Sequence, residues 1–377
     1  MTDLDHRRRL YLRLALAEGV GPLTVRRLLD HFSQPEAVFG ASRGQLQAVE
    51  GVGPKAAAGI LAADDRAAEG ELALAAEAGV SVLCPDDPAY PAGLRHIPDP
   101  PPVLYAMGDL READAVALGV VGSRRCTHYG LAQAERFGAL LGRAGFTVVS
   151  GGARGIDAAA HRGALAAGGR TVAVMGCGLN HLYPPENRKL FRQIVADGRG
   201  AVLSELPMAI GVKGQNFPRR NRIISGMSLG VLIVEAARRS GSLITARLAI
   251  EQGKDVFAIP GRVDSPFSAG TNQLIADGAA ALVQNIEDIL DALDRVGETM
   301  TAEGAAEPAA PQVKLTGDES KIMAALAAME LALDEIASRT GLPAHHVAAA
   351  MTTLTIKGLV AQKPGGVFAG RWPSPRG

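Results

Sequence analysis

Three short stretches of this chain combine glycine, arginine and small polar residues in a way that suits an anion. Gly122-Ser123-Arg124-Arg125 offers a turn where a backbone can approach closely, and Arg124 adds a planar, two-pronged donor that fits a phosphate. Ser150-Gly151-Gly152-Ala153-Arg154-Gly155-Ile156-Asp157 places three glycines within five residues. A simple turn that needs one positive φ would explain one of them; three together with Arg154 suit a nest of backbone N–H groups. Phe217-Pro218-Arg219-Arg220-Asn221-Arg222 sets an aromatic ring beside three arginines, and no acidic residue occurs from 211 to 224. A ring on which a base can stack and cations for the backbone are what a single-stranded nucleic acid requires. Pro218 is expected to hold Phe217 in extended backbone and so present its ring at a surface. The competing reading makes Phe217 a core anchor and has the arginines pair with Glu205 and Glu235, which end neighbouring strands.

Other stretches carry less chemistry. Asp157 and His161 stand four apart on one helix, an acid–base spacing, but an Asp in a first helical turn is equally a cap, and no Ser or Cys nucleophile is placed beside them. Gly176-Cys177-Gly178 begins a dinucleotide fingerprint, and His181 stands where its third glycine belongs; no GxxxxGK[ST] occurs. No cofactor is expected. Ser240-Gly241-Ser242 and Pro260-Gly261 add hydroxyls and bare backbone near the same sheet edge, while Gly270-Thr271-Asn272 reads as a capped helix start. Cys84, Cys126 and Cys177 lack zinc or disulfide spacing and read as reduced thiols of a cytoplasmic protein. No catalytic or metal set is assembled.

The elements that must position these residues follow a simple pattern. Short apolar runs at 118–121, 147–149, 171–174, 201–203, 231–234 and 256–259 alternate with helical stretches, the signature of a parallel, Rossmann-like α/β sheet. Most of the glycine and arginine motifs fall just after a run, at the carboxyl ends of strands, where such sheets bind ligands. Runs at 81–84 and 103–107, separated by a proline-rich stretch, look like strands at the sheet margin. Before them, 8–62 carries helical spacing broken by Gly19-Val20-Gly21-Pro22 and Gly51-Val52-Gly53-Pro54, turns of the helix-hairpin-helix kind that suit either a tight corner or a phosphate. After 293 an unpatterned stretch reads as a linker. Helices at 319–329, 334–339 and 343–358 and a hairpin around Pro364-Gly365-Gly366 then make a winged helix. The expected domains are 1–75, 76–293, a linker at 294–317, and 318–377. Lys+Arg and Asp+Glu both number 39, so affinity for a polyanion has to come from a local cluster rather than a global field. No apolar run reaches the roughly 20 residues that a bilayer span requires.

Together GSR, SGGARGID, GLNHLYPPEN, FPRRNRIISG, SGSLITA and the PG and GTN pairs resemble the DNA-processing protein A (DprA/Smf) family over about 119–280. The resemblance implies a homodimer that binds single-stranded DNA during natural transformation and loads the RecA recombinase, without turnover and without a membrane anchor. By position it implies that Gly122, Ser123, Arg124, Ser150, Gly151, Gly152 and Arg154 hold phosphate, with Phe217, Arg219, Arg220 and Asn221 lining the same pocket. The alternative is an enzyme: a related Rossmann-like family hydrolyses nucleoside monophosphates through a PGGxGTxxE signature. Here the pieces, Pro260-Gly261-Arg262 and Gly270-Thr271-Asn272, are separated and no Glu follows. The last helix of the winged module, with His345 and His346 but no Arg, fits duplex DNA poorly and protein docking at least as well.

Overall fold

Two glycine corners set up the N-terminal helices. Gly19 and Gly51 adopt left-handed φ of +78° and +80°, and Pro22 and Pro54 then start the following helices, where a missing N–H costs nothing. The computed structural model describes residues 3–293, 316–326, 331–356, 360–362 and 367–370. They fall in two compact units, Met1–Gly304 and Ala305–Gly377. The first opens with α1 (Asp3–Leu16), α2 (Pro22–Phe32), α3 (Pro35–Gly40), α4 (Arg43–Gln47) and α5 (Pro54–Ala62), packed around Leu14, Val25, Leu28, Leu46 and Ile60, followed by α6 (Asp65–Glu77). Lys55, the cation after the second corner, is paired with Glu18 at 3.0 Å. Tyr11 and Leu12 of α1 join a different cluster, with Val80, Val82 and Tyr105, and Arg7 meets Asp86 at 2.5 Å. The helical segment and the sheet thus share buried surface.

The sheet has nine strands: β1 (Val80–Leu83), β2 (Leu104–Gly108), β3 (Ala117–Val121), β4 (Thr147–Ser150), β5 (Thr171–Val174), β6 (Gly200–Ser204), β7 (Gly230–Ile233), β8 (Asp255–Ala258) and β9 (Ala281–Leu282). Their order is β1-β2-β6-β5-β4-β3-β7-β8-β9. β1 and β2 are antiparallel and the rest of the sheet is parallel from β6 to β9. The two marginal strands stand at one edge as their proline-flanked runs suggest. β9, two exposed residues, has no apolar alternation to announce it and forms by pairing with β8. The intervening helices are α7 (Ala92–Arg95), α8 (His128–Arg143), α9 (Ile156–Ala166), α10 (Arg188–Ala196), α11 (Asn216–Gly226), α12 (Ser242–Glu251), α13 (Ala269–Ala276) and α14 (Ile286–Ala292).

From β3 the chain winds outward through β4, β5 and β6, then returns to β7 on the other side of β3. The loops after β3 and β7 therefore diverge and leave a crevice between them, the switch point at which open α/β sheets take ligands. Helices cover both faces. Ile223, Ile224, Ala246 and Ala249 of α11 and α12 pack on one, and Phe137, Leu141 and Ala160 of α8 and α9 on the other.

The second unit contains α15 (Gly317–Leu326), β10 (Leu331–Ala332), α16 (Leu333–Thr340), α17 (Ala344–Ile356), β11 (Val360–Gln362) and β12 (Val367–Gly370) around Ile322, Ile336, Leu354 and Phe368. Its sheet order is β10-β12-β11, antiparallel, which makes a winged helix. The expected linker lies outside the described residues except for Thr316 and Gly317. There the Thr316 and Glu319 side chains cap each other's backbone N–H, so Gly317 already belongs to the helix. The Pro364-Gly365-Gly366 turn also lies outside the described residues. Among the described residues no helix is long and apolar enough to cross a membrane.

α8 and α9 lie close because each puts a glycine against the other's backbone. A Cβ on Gly138 would stand 2.3 Å from the Ala160 carbonyl oxygen, and one on Gly163 would stand 2.1 Å from that of Glu135. Gly138→Ala is therefore expected to destabilise the fold by about 1–3 kcal/mol, in spite of alanine's better helix propensity. Urea unfolding checks this, and an unchanged or higher midpoint would contradict the close approach.

Candidate nucleic-acid interface

The crevice between β3 and β7 opens into a cleft of 820 Å³ whose lining includes Ser123, Arg124, Phe217, Asn221, Ser242 and Phe267. Its walls are the loop after β3, the loop after β7 and the starts of α11 and α12. After β3, the Ser123 N–H donates to the Glu235 carbonyl at 2.7 Å, tying this loop to the one after β7. The Glu235 carboxylate accepts from the Thr127 backbone and hydroxyl, both at 2.8 Å, and so fixes the start of α8. The expected arginine partner for Glu235 is thus replaced by the cap of a helix. Arg222 does pair as expected, with Glu205 at 2.6 Å, and also with Asp99 at 2.8 Å.

The Phe217 segment departs from expectation. Residues Asn216–Gly226 are helical, so Phe217 and Pro218 lie in the first turn of α11 and not in extended chain. In that turn the N–H groups have no intrahelical acceptor, so proline loses no bond there, and its preference for extended backbone before it is overridden. The helix turns Arg219 outward and buries Arg220 and Arg222. Phe217 is half-buried. Below it Gly176 leaves no room for a Cβ, which would lie 2.9 Å from the ring. Beside the ring, Arg124 stands 5.0 Å from its centroid, Arg220 5.9 Å, and the Tyr183 ring 6.0 Å. Arg154 lies 5.9 Å from Tyr183 and 2.7 Å from Glu186.

Four of the residues expected to touch a ligand are buried. Ser150 is fully buried and donates to the Val120 carbonyl at 2.6 Å. Gly152, at φ +63°, packs under Phe191 and Met175. Arg220, 4% exposed, donates to the carbonyls of Gly151 and Val174. Gly151 must lack a side chain because a Cβ would lie 2.4 Å from that guanidinium. The glycine loop also meets an anion of its own: the Asp157 carboxylate accepts from the Ala153 N–H at 3.3 Å. Gly122, Ser123, Arg124, Phe217, Asn221 and an edge of Arg220 line the cleft, and Gly151, Arg154 and Arg220 line a small annex beside Tyr183. Arg219 is exposed on the rim. Tyr183 was missed by sequence reasoning. Its spacing in Leu182-Tyr183-Pro184-Pro185 carries no polar pattern, and only the fold brings it to Phe217.

Charge around the cleft is one-sided. Lys213, Arg124, Arg125, Arg219, Arg238 and Arg239 are exposed, and none has an ion-pair partner among the described residues. α11 and α12 both begin at the cleft with no acidic residue in their first turns, so their positive dipole ends add to this field. Burial pushes the Asp157 carboxyl up, and the nearby Arg220 draws it back down; burial in turn lowers the Arg220 guanidinium to about 10. Asp157 and His161 do not act on each other. His161 is buried and sits 2.6 Å from the Thr171 hydroxyl, which already donates to Val148. Its Nδ1 therefore carries the proton and its Nε2 has no partner.

Residues 81–294 match the family model described as DNA recombination-mediator protein A, more than half of the chain. The chain belongs to that family. Residues 306–366 match the DprA winged helix domain of the same family, and 11–63 match a SAM-like helix-hairpin-helix tandem. Protein Smf of Synechocystis sp. is 37% identical over 94% of this chain and 96% of its own length. DNA processing protein DprA of Bacillus subtilis is 40% identical over 59% of this chain and 74% of its own. Among solved structures, DNA processing protein A from Streptococcus pneumoniae superposes with TM-score 0.64 at 33% identity, covering 77% of this chain and 98% of that one. DNA processing protein A from Helicobacter pylori, described for its unique single-stranded DNA binding mode, gives TM-score 0.51 at 31% identity over 57% of this chain and 96% of that one.

Within this family fold, burial holds His161 neutral, with its imidazole lowered to about 3. A group depressed in the folded state contributes stability that is present above its unfolded pKa of about 6.5 and is lost as pH falls below it. The expected loss is roughly 2 kcal/mol by pH 5 from this one group. Thermal melting from pH 7 to pH 5 checks it: His161→Gln should flatten the acid side of the profile, and an unaltered slope would contradict the assignment.

Proposed function

We propose that this chain binds single-stranded DNA in the switch-point cleft, with phosphates on Arg124, Arg219 and Arg154, a base against Phe217, and Gly122 and Ser123 shaping the loop that presents Arg124. One observation carries the reading. A half-exposed aromatic ring has Arg124, exposed and without an ion-pair partner among the described residues, 5.0 Å from its centroid, and exposed Arg219 two residues further along α11, in a chain whose charges otherwise balance. Asn221 lines the cleft beside them, and Arg220, Ser150, Gly151 and Gly152 act from beneath by fixing the loops. Relatives of this chain are named for DNA processing, and the strand proposed here is the one taken up in natural transformation. Loading of RecA onto it, a homodimeric state, a cytoplasmic location and binding without turnover complete the proposal. The domains proposed for this work are 1–75, 76–293 and 318–377 joined at 294–317. Of the two groups with acid–base spacing, Asp157 accepts from the Ala153 N–H and His161 gives its Nδ1 proton to Thr171.

The test is a titration of one oligonucleotide as single strand and as duplex, at several salt concentrations. Single strand should bind more tightly, with affinity falling as salt rises. Phe217→Ala should lower single-strand affinity by about 1–3 kcal/mol, while Phe217→Trp keeps most of it. Equal affinity for duplex, or full single-strand affinity in the alanine variant, would overturn the reading.

A further inference from the structure

Beyond the cleft, we propose that the exposed face of α10 is a second track for the strand, taking phosphates of the segment that leaves past Tyr183. This rests on the single-strand reading above. α10 buries Leu190, Phe191 and Ile194 and exposes Arg188, Lys189 and Arg192. Among the described residues none of these three cations has an ion-pair partner; the Arg188 Nε donates to the Leu182 carbonyl at 3.3 Å. For the helix alone the arrangement is unfavourable. Arg188 and Lys189 stand in a first turn that has no acidic residue, at the positive end of the dipole, and Arg188 and Arg192 are like charges four residues apart. Neither choice helps α10 fold, and both suit an anionic chain lying across it.

The face is continuous with the cleft. Asn187, just before α10, donates to the Gly152 carbonyl at 2.9 Å and so ties the helix to the glycine loop. Leu182, which accepts from Arg188, precedes Tyr183, whose ring stands 6.0 Å from Phe217. Arg154 covers Tyr183 and occupies Glu186, the one carboxylate between 182 and 196. A strand stacked on Phe217 thus meets a second ring and then three free cations. Arg238 and Arg239 flank the opposite wall and offer the competing exit.

The test compares a short oligo-dT that fills only the cleft with one several times longer. The variant Arg188→Ala/Lys189→Ala/Arg192→Ala, all exposed positions, should keep its melting temperature and its affinity for the short strand. Affinity for the long strand should fall tenfold or more, and the slope of log affinity against log salt should shrink by about 2, roughly 0.7 per lost contact. Arg238→Ala/Arg239→Ala should show no such dependence on length. Unchanged long-strand affinity, equal loss at both lengths, or the length effect appearing in the Arg238/Arg239 variant instead would each overturn the track. Unmodified protein that binds neither length would overturn the cleft reading itself, and the track with it.

Discussion

A buried guanidinium holds the cleft together. Arg220 lies beneath the loops that end β4 and β5, bonded to the carbonyls of Gly151 and Val174, with the Asp157 carboxylate as its nearest counter-charge. Taking such a cation out of water is costly, and its Nε has no partner, so the arrangement is hard to justify by stability alone. Its consequence is geometric. It pins the first turn of α11 over two strand ends, which fixes Phe217 three residues earlier and makes Gly151 obligatory. It also shares the buried space with Asp157, so the acidic residue nearest the cleft is already answered from inside the fold.

The surface around the cleft takes its sign from which cations the fold leaves unpaired. Lys+Arg and Asp+Glu balance at 39 each, and many cations of the first unit are spent on architecture: Arg222 on Glu205 and Asp99, Arg170 on Asp114, Arg7 on Asp86. Around the cleft the pattern reverses. Arg124, Arg125, Arg219, Arg238 and Arg239 point outward without carboxylate partners among the described residues, and two helix starts add their dipoles. The field is local, as the neutral total requires.

Much of this was legible in the residues. The six central strands announce themselves by short apolar runs with glycine or polar residues at their carboxyl ends, and the switch-point site follows from that layout. The GVGP corners and the winged module are likewise carried by local turn chemistry. What local sequence does not carry is direction. Phe217-Pro218 has the look of extended chain, yet a helix start tolerates proline, and only the packing of Ile223 and Ile224 against the sheet decides for helix. That choice sends Arg220 inward and Arg219 outward, a division invisible in a row of adjacent arginines. Ser150 and Gly152 follow the same rule: motif membership placed them at the site, and the end of β4 and the loop after it buried them beneath it. Tyr183 reaches the site from another loop altogether.

Arg220 acts through the fold rather than on phosphate, and one experiment separates the two roles: Arg220→Met, followed by thermal melting and by single-strand titration over a range of salt. A positioning role predicts a lower melting temperature and weaker binding per folded molecule, with the slope of log affinity against log salt unchanged, because no phosphate contact has been lost. An unchanged melting temperature with the slope reduced by about 0.7 would show Arg220 to be a phosphate ligand and contradict the account.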